Sequence, residues 1–240
     1  YRRQRQMCIR DRYWAGADGG AVFDSVTTND ATLTLSLTPS EPTADFSAGD
    51  ITVIGGAISV FDWSGAAYYA TLTPSADGQV IIDVAAGTFT DAAGNSNIAT
   101  APFSWTYDAI PTMIITATNG TSEVSDGQVT SDPLLYLTFT SSEETTDFTV
   151  DDITVMGGTL SSFFAESSTI YTATLTPSGD GEITIDVVAG SFTDATGNSN
   201  TAATQFNWTY DGTMPTMTIT ATNVTCLLYT SPSPRDGLLS

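Results

Sequence analysis

Two segments concentrate the oxygen-donor chemistry of this sequence, "TFTDAAGNSN" at 88–97 and "SFTDATGNSN" at 191–200. The first offers Asp91, Asn95 and Asn97, the second Asp194, Asn198 and Asn200. A hard divalent cation such as calcium gathers six to eight oxygens from carboxylates, amide carbonyls and the backbone. Gly197 would let the chain curl inward around such an ion. The same residues also make a good turn, with Asp194 accepting backbone amides, Gly197 at positive φ and Asn198 in the left-handed region. Spacing leaves both readings open. No D-x-D-x-D-G run is present, so neither segment is an EF-hand loop.

The two ends of the chain differ in kind from its middle. "QMCIRD" near the start and "CLLYTS" near the end are translations of one short DNA element and its reverse complement, and they resemble a transposon-end sequencing adapter. Residues 1–12 and 226–240 are therefore read as a non-native scar and set aside. All six Lys and Arg, both Cys and two of the 27 acidic residues lie in those ends. Tyr13–Thr225 keeps 25 acidic residues and contains no Lys, Arg, His or Cys. A segment of this charge repels nucleic acid and anionic membranes, and a divalent cation or high salt would stabilise it. That points outside the cytosol. Without Cys no disulfide holds the fold, and no apolar run is long enough to span a bilayer.

Internal repetition dominates the middle. "DITVIGG" at 50–56 recurs as "DITVMGG" at 152–158, and "WTYD" at 105–108 recurs at 208–211. "PTMIITATN" at 111–119 recurs as "PTMTITATN" at 215–223, and the offset drifts from 102 to 104 residues. A period of that length is a whole domain. The division that follows is a first repeat over 13–110 lacking its first strand, a complete repeat over 111–213, and the first strand of a third over 214–225.

Within the complete repeat, period-two alternation predicts strands. Leu135, Leu137 and Phe139 share one face, with Tyr136 and Thr138 on the other; Tyr171, Ala173 and Leu175, then Ile183, Ile185 and Val187, follow the same rule. Segments 113–118, 148–155, 159–164 and 206–210 bring the count to about seven strands. Trp105 and Trp208 are expected to plug the cores from the last strands. Seven short alternating strands in about 100 residues predict an all-β fold of tandem immunoglobulin-like sandwiches.

The string "DITV.GG…YTATLTP..DG…DV.AG.FTDA.GNSN…F.WTYD…PT" resembles the bacterial Ig-like domains that occur in tandem in very large bacterial surface and secreted proteins. The resemblance implies an extracellular, rod-like array of the kind that forms adhesin stalks, often stiffened by calcium. Its partners would be neighbouring Ig-like repeats of the same chain, with host or surface glycans and proteins reached through other parts of the full-length protein. Nucleic acid and membrane insertion are not expected of this stretch.

Sandwich topology then says where the oxygen donors meet. The 191–204 segment joins the last two strands, beside the connection "SSEETTDF" with Glu143, Glu144 and Asp147, and at the end where the linker "YDAIPT" delivers Asp108. Asp108, Glu143, Asp147, Asp194, Asn198 and Asn200 are thus expected to converge between repeats and to hold calcium. The first repeat presents Glu41, Asp45, Asp91, Asn95 and Asn97, and Asp211 repeats Asp108. Asp77 and Asp180, each before Gly, read as hairpin turns. Of the pairs Tyr68–Tyr69 and Phe163–Phe164, one ring each is expected inward and one outward.

Catalysis is not expected. Without His, Lys, Arg or Cys there is no usual base for a Ser or Thr nucleophile and no soft metal ligand. Composition leaves a glycosidase-type carboxylate pair possible, but a small tandem sandwich offers it no cleft. Three functions remain: a calcium-fixed stalk, a glycan- or protein-binding module using the divergent segments 57–69 and 159–171, and a salt-adapted secreted domain without a specific metal.

Overall fold

Alternating side chains become alternating burial. Leu135, Leu137 and Phe139 have no exposed surface, while Tyr136 between them is 49% exposed. Leu33, Leu35 and Leu37 bury the same face in the first repeat. The computed structural model describes residues 9–15 and 23–221.

The first repeat runs β1 (Ile9–Ala15), β2 (Thr27–Thr28), β3 (Leu33–Pro39), β4 (Ile51–Ile54), β5 (Gly56–Ser64), β6 (Ala67–Pro74), β7 (Gly78–Val84) and β8 (Phe103–Tyr107). The second runs β9 (Met113–Thr118), β10 (Glu123–Val124), β11 (Gln128–Thr130), β12 (Leu135–Ser141), β13 (Ile153–Met156), β14 (Gly158–Ala165), β15 (Ile170–Pro177), β16 (Gly181–Val187) and β17 (Phe206–Tyr210). In the second repeat the sheets are β10-β9-β12-β15-β14 and β11-β17-β16-β13; in the first they are β1-β3-β6-β5 and β2-β8-β7-β4. The short strands β11 and β2 run parallel to the last strand of their repeat, Gln128 opposite Trp208 and Thr27 opposite Thr106. This two-sheet arrangement is the predicted immunoglobulin-like sandwich, present twice.

Each sandwich closes over its own core. Trp208 is fully buried and its indole N–H donates to Thr130 Oγ1 at 3.1 Å; Trp105 is its buried counterpart. Phe148 packs edge-on against Tyr171 and Phe192, with ring centroids 4.9 and 5.2 Å away. Phe46 meets Tyr68 and Phe89 in the same manner, both at 4.9 Å. These rings lie beneath the β12–β13 and β16–β17 loops and their counterparts, so the loops carrying the oxygen donors rest on a rigid aromatic floor.

The repeated Gly-Gly has a backbone reason. Gly157 stands at φ 77°, and a Cβ there would lie 2.6 Å from Glu182 O. The chain turns at this point from β13 in one sheet to β14 in the other. Only glycine fits the turn and the close approach together.

Beyond the two short strands β10 and β11, which take the second repeat from about seven strands to nine, the structure departs from expectation in three places. The strand expected over 148–155 begins only at Ile153, because Val150–Asp152 form a 3-10 turn whose Asp152 carboxylate accepts the Thr149 N–H at 2.7 Å. The first repeat does not lack its first strand: β1 pairs with β3 where β9 pairs with β12 in the second. An open sheet edge takes up any extended segment that can bond to it, and this one crosses the boundary drawn at residue 12. Finally, 214–221 form no strand, and Met214, Met217 and Ile219 are all more than 80% exposed. A first strand pairs within its own sandwich, and the described residues hold no third sandwich for it. Residues 222–225, and the end 226–240 set aside above, lie outside the described residues.

Candidate metal centre

Three segments meet where the first sandwich hands over to the second. Asp108 leaves β8 with its own N–H bonded to Thr28 O at 3.1 Å. Glu143 sits on the β12–β13 loop and Asp194 on the β16–β17 loop, two loops tied by a bridge between Thr145 and Asp194. One carboxylate oxygen from each of Asp108, Glu143 and Asp194 falls within 4.8 Å of the others, and among the described residues this is the one such acidic group. Asp194 is buried, and Asp108 and Glu143 are half-buried.

The electrostatics follow from the missing cations. Burial, then the charges of Asp77, Asp108 and Asp194, push the Glu143 carboxyl up to about 7. Asp194 goes the other way: burial works to raise it, but donors from the backbone and side chains of Asn198 and Thr196 outweigh burial and hold it below the ordinary carboxylate value. Those donors are Asn198 N–H at 2.9 Å, Gly197 N–H at 2.8 Å and Thr196 N–H at 2.9 Å, all on Oδ1. They make the Asx turn expected of Asp194, with Gly197 at φ 98°; Asn198, expected in the left-handed region, does not take a positive φ, since the glycine before it makes the turn. Turn and acidic cluster therefore coexist in one loop.

Asn198 spans the boundary. Its amide Nδ2 donates to Asp194 Oδ2 at 2.9 Å and to Asp108 Oδ2, while its Oδ1 accepts from Asn29 of the first repeat at 3.1 Å. The Thr196 hydroxyl also donates to Asp108. In this arrangement the amide faces the carboxylates as a donor, where a metal would require its oxygen.

Other expected ligands are spent elsewhere. Asn200 does not join the cluster: its Oδ1 accepts the Ser191 and Phe192 amides at 2.9 and 3.1 Å, and its Nδ2 donates to Val188 O and Thr201 O at 2.9 and 2.8 Å. Asn97 makes the same four bonds in the first repeat, to Thr88, Phe89, Ala85 and Ile98. Both amides are loop staples with no oxygen left over. Asp147 clasps the Thr193 amide at 3.0 Å and its hydroxyl at 2.8 Å. Burial acts to raise its carboxyl, but the Thr193 and Thr145 donors hold it low. Asp45 clasps Thr90 identically and is lowered to about 2 by those donors.

Asp91 and Asn95 reproduce the Asp194–Asn198 turn, the amide donating to the carboxylate at 2.8 Å. Glu41 stands at the position of Glu143, and among the described residues of the first repeat no group of three such side chains forms. Asp211, the copy of Asp108, is exposed and accepts the Thr213 N–H at 3.1 Å. No described repeat follows it.

One functional residue escaped sequence reasoning. Asp77 is more than a hairpin turn, because its Oδ1 accepts the N–H of Ala109, the residue after Asp108, at 2.7 Å. Asp180 holds the next linker in the same grip through Gly212 N–H at 2.8 Å and the Thr213 hydroxyl. The signal was available. Asp77 precedes Asp108, and Asp180 precedes Asp211, by the same 31 residues.

The chain matches the bacterial Ig-like domain family twice, over residues 21–107 and 108–210. It belongs to that family. No curated protein sequence matches it. Among solved structures, Yersinia pseudotuberculosis InvD is 16% identical with a TM-score of 0.27, covering 80% of this chain and 58% of its own. The Yersinia pseudotuberculosis adhesin InvE is 16% identical with a TM-score of 0.31, over 78% of this chain and 56% of its own. Invasin, a bacterial integrin-binding protein, is 14% identical with a TM-score of 0.33, over 86% and 41%. This bacterial Ig-like chain thus spans a little over half the length of the first two.

Proposed function

We propose that this stretch of bacterial Ig-like domains is a spacer segment of an extracellular, adhesin-type protein, and that calcium fixes the joint between its repeats. The observation that carries the reading is the convergence of Asp108, Glu143 and Asp194 from a linker and two loops. Two oxygens bound to one calcium at 2.3–2.6 Å stand at most about 5 Å apart, so a 4.8 Å cluster fits a shared ion. The donor set is all oxygen and carries no competing cation, which suits calcium and offers nothing to softer metals. Asp108, Glu143 and Asp194 would hold the ion. Asn198 would complete the set by turning its amide, since its two ends are nearly isosteric.

A bound ion would neutralise carboxylates that now face each other and would tie Asp108, and with it the first sandwich, to the loops of the second. Asp77 adds a charge-assisted bond to the same linker. A chain built this way resists bending at the joint without any disulfide. The spacer reading assigns the chain no catalysis. Among the described residues no helix is long and apolar enough to cross a membrane.

Calorimetry tests the reading. Melting should rise with millimolar calcium, less with magnesium, and return with chelator. An equal response to sodium chloride would refute a specific ion and leave an acidic domain adapted to salt.

A further inference from the structure

The two β-hairpins that follow the Gly-Gly turn are not equivalent at their tips. In the second repeat the β14–β15 tip folds onto the β12–β13 loop. Ser141 N–H donates to Thr169 O and Thr145 N–H to Ser168 O, both at 2.8 Å, and the Tyr171 hydroxyl donates to Thr145 O at 2.8 Å. In the first repeat the tip is one residue shorter, Trp63 pairing with Tyr68 where Ala165 pairs with Tyr171. Pro39 replaces Ser141 and has no N–H to make the tip bond. At the corresponding place in the first repeat, the described residues form a cleft of about 220 Å³ lined by Pro39, Ser40, Glu41, Pro42, Trp63, Gly65 and Tyr68. Trp63 is 70% exposed.

We propose that this cleft is a binding site for a guanidinium group, the head of an arginine side chain presented by a protein partner. Its size selects one side chain, since sites for whole small ligands run about 300–1,000 Å³. Its chemistry selects a donor. The two prolines remove two backbone donors, the Tyr68 hydroxyl is committed to Thr43 O at 3.1 Å, and the Thr43 hydroxyl to Asp45 Oδ1 at 2.7 Å. Glu41 adds a carboxylate. Guanidinium carries five donors and no acceptor, stacks on indole and pairs with carboxylate. Tyr13–Thr225 contains no Lys or Arg, and its net negative charge draws in a cation. The coordinated change of tip length, Pro39 and Trp63 separates this site from a chance surface hollow. It is independent of the joint between repeats.

The full chain would be titrated with N-acetyl-arginine amide, N-acetyl-lysine amide and a neutral methyl hexoside, following the indole N–H signals by NMR. The expected result is saturable binding of the arginine probe, moving Trp63 while leaving the buried Trp105 and Trp208 signals in place. Trp63→Ala and Glu41→Gln should each weaken it roughly fivefold or more, and Glu166→Gln, on the other hairpin tip, should not. Pro39→Ser with one residue added at the tip should close the cleft and abolish the shift. Tighter binding of the sugar, binding indifferent to Trp63→Ala and Glu41→Gln, or no saturable shift would each overturn the proposal. Unchanged Trp105 and Trp208 signals in every variant show that the fold is kept.

Discussion

Replacing Glu143 by Gln should change stability in opposite directions with and without calcium. In chelator, Glu143 is an acid whose folded value is raised to about 7 from an ordinary 4.5, by burial first and then by Asp77, Asp108 and Asp194. The folded state therefore holds the proton more tightly than the unfolded one. Stability is greatest below the unfolded value and falls as pH climbs from about 4.5 to about 7. At 1.36 kcal/mol per pH unit the limit is about 3 kcal/mol, and partial exposure reduces it to about 1–2. Glu143→Gln carries no charge, so at pH 8 in chelator it should melt higher than the parent. For a domain of about 100 residues, 1–2 kcal/mol moves Tm by roughly 4–16 °C. With calcium at 10–100 times its Kd, the parent gains about 1.4–2.7 kcal/mol, and Glu143→Gln should lose most of that gain with its ligand. The two melting curves should cross as calcium is raised. Calorimetry in chelator and across a calcium series reads both limbs. A variant that melts lower in both conditions, or that keeps the full calcium response, would refute the reasoning and leave the loop a turn alone.

Four further outcomes follow from the geometry. Asn200→Ala strips a buried staple from two amides and should cost about 2–3 kcal/mol by denaturant melting, whether or not calcium is present. Gly157→Ala places a Cβ against Glu182 O at a positive φ and should cost about 2 kcal/mol or more, with the loss confined to the second sandwich in domain-resolved hydrogen exchange. Trp208→Ala should cost about 3–5 kcal/mol in the same repeat. Asp77→Ala frees the Ala109 N–H and should broaden the distribution of angles between the repeats in small-angle scattering, with the melting of the second repeat nearly unchanged.

The sandwich was readable because its signals are local. A face of Leu135, Leu137 and Phe139 against Tyr136 and Thr138 can only be half-buried as a strand, and repetition of every such segment at one offset makes the two copies check each other. The loop pairing at the joint was also readable, since Ig-like topology puts the β12–β13 and β16–β17 connections at the end where the linker enters. Two strand limits were not. The β13 start was hidden because Thr149 and Asp152 cap a turn inside an apolar run, and the pairing of β1 depends on an open edge of β3 rather than on its own residues.

Which donors remain free was the illegible part, because it depends on bonds that cross many residues. Asn198 and Asn200 are identical in kind and two positions apart. Yet Asn200 faces inward, where four backbone groups consume it, while Asn198 faces the linker and reaches Asp108. The loop thus divides its asparagines, one to hold the loop and one to serve the joint. The same division explains why Asp147 and Asp194, both lowered by hydrogen bonds, differ in role. Asp147 spends both oxygens on Thr193, whereas Asp194 turns one oxygen to the backbone and the other to Asn198. If the joint is built for an ion, Asn198→Asp should tighten calcium binding by adding a charged oxygen, while Asn200→Asp should unfold the loop. A titration in which the two variants behave alike would mean that the side of the loop does not decide function.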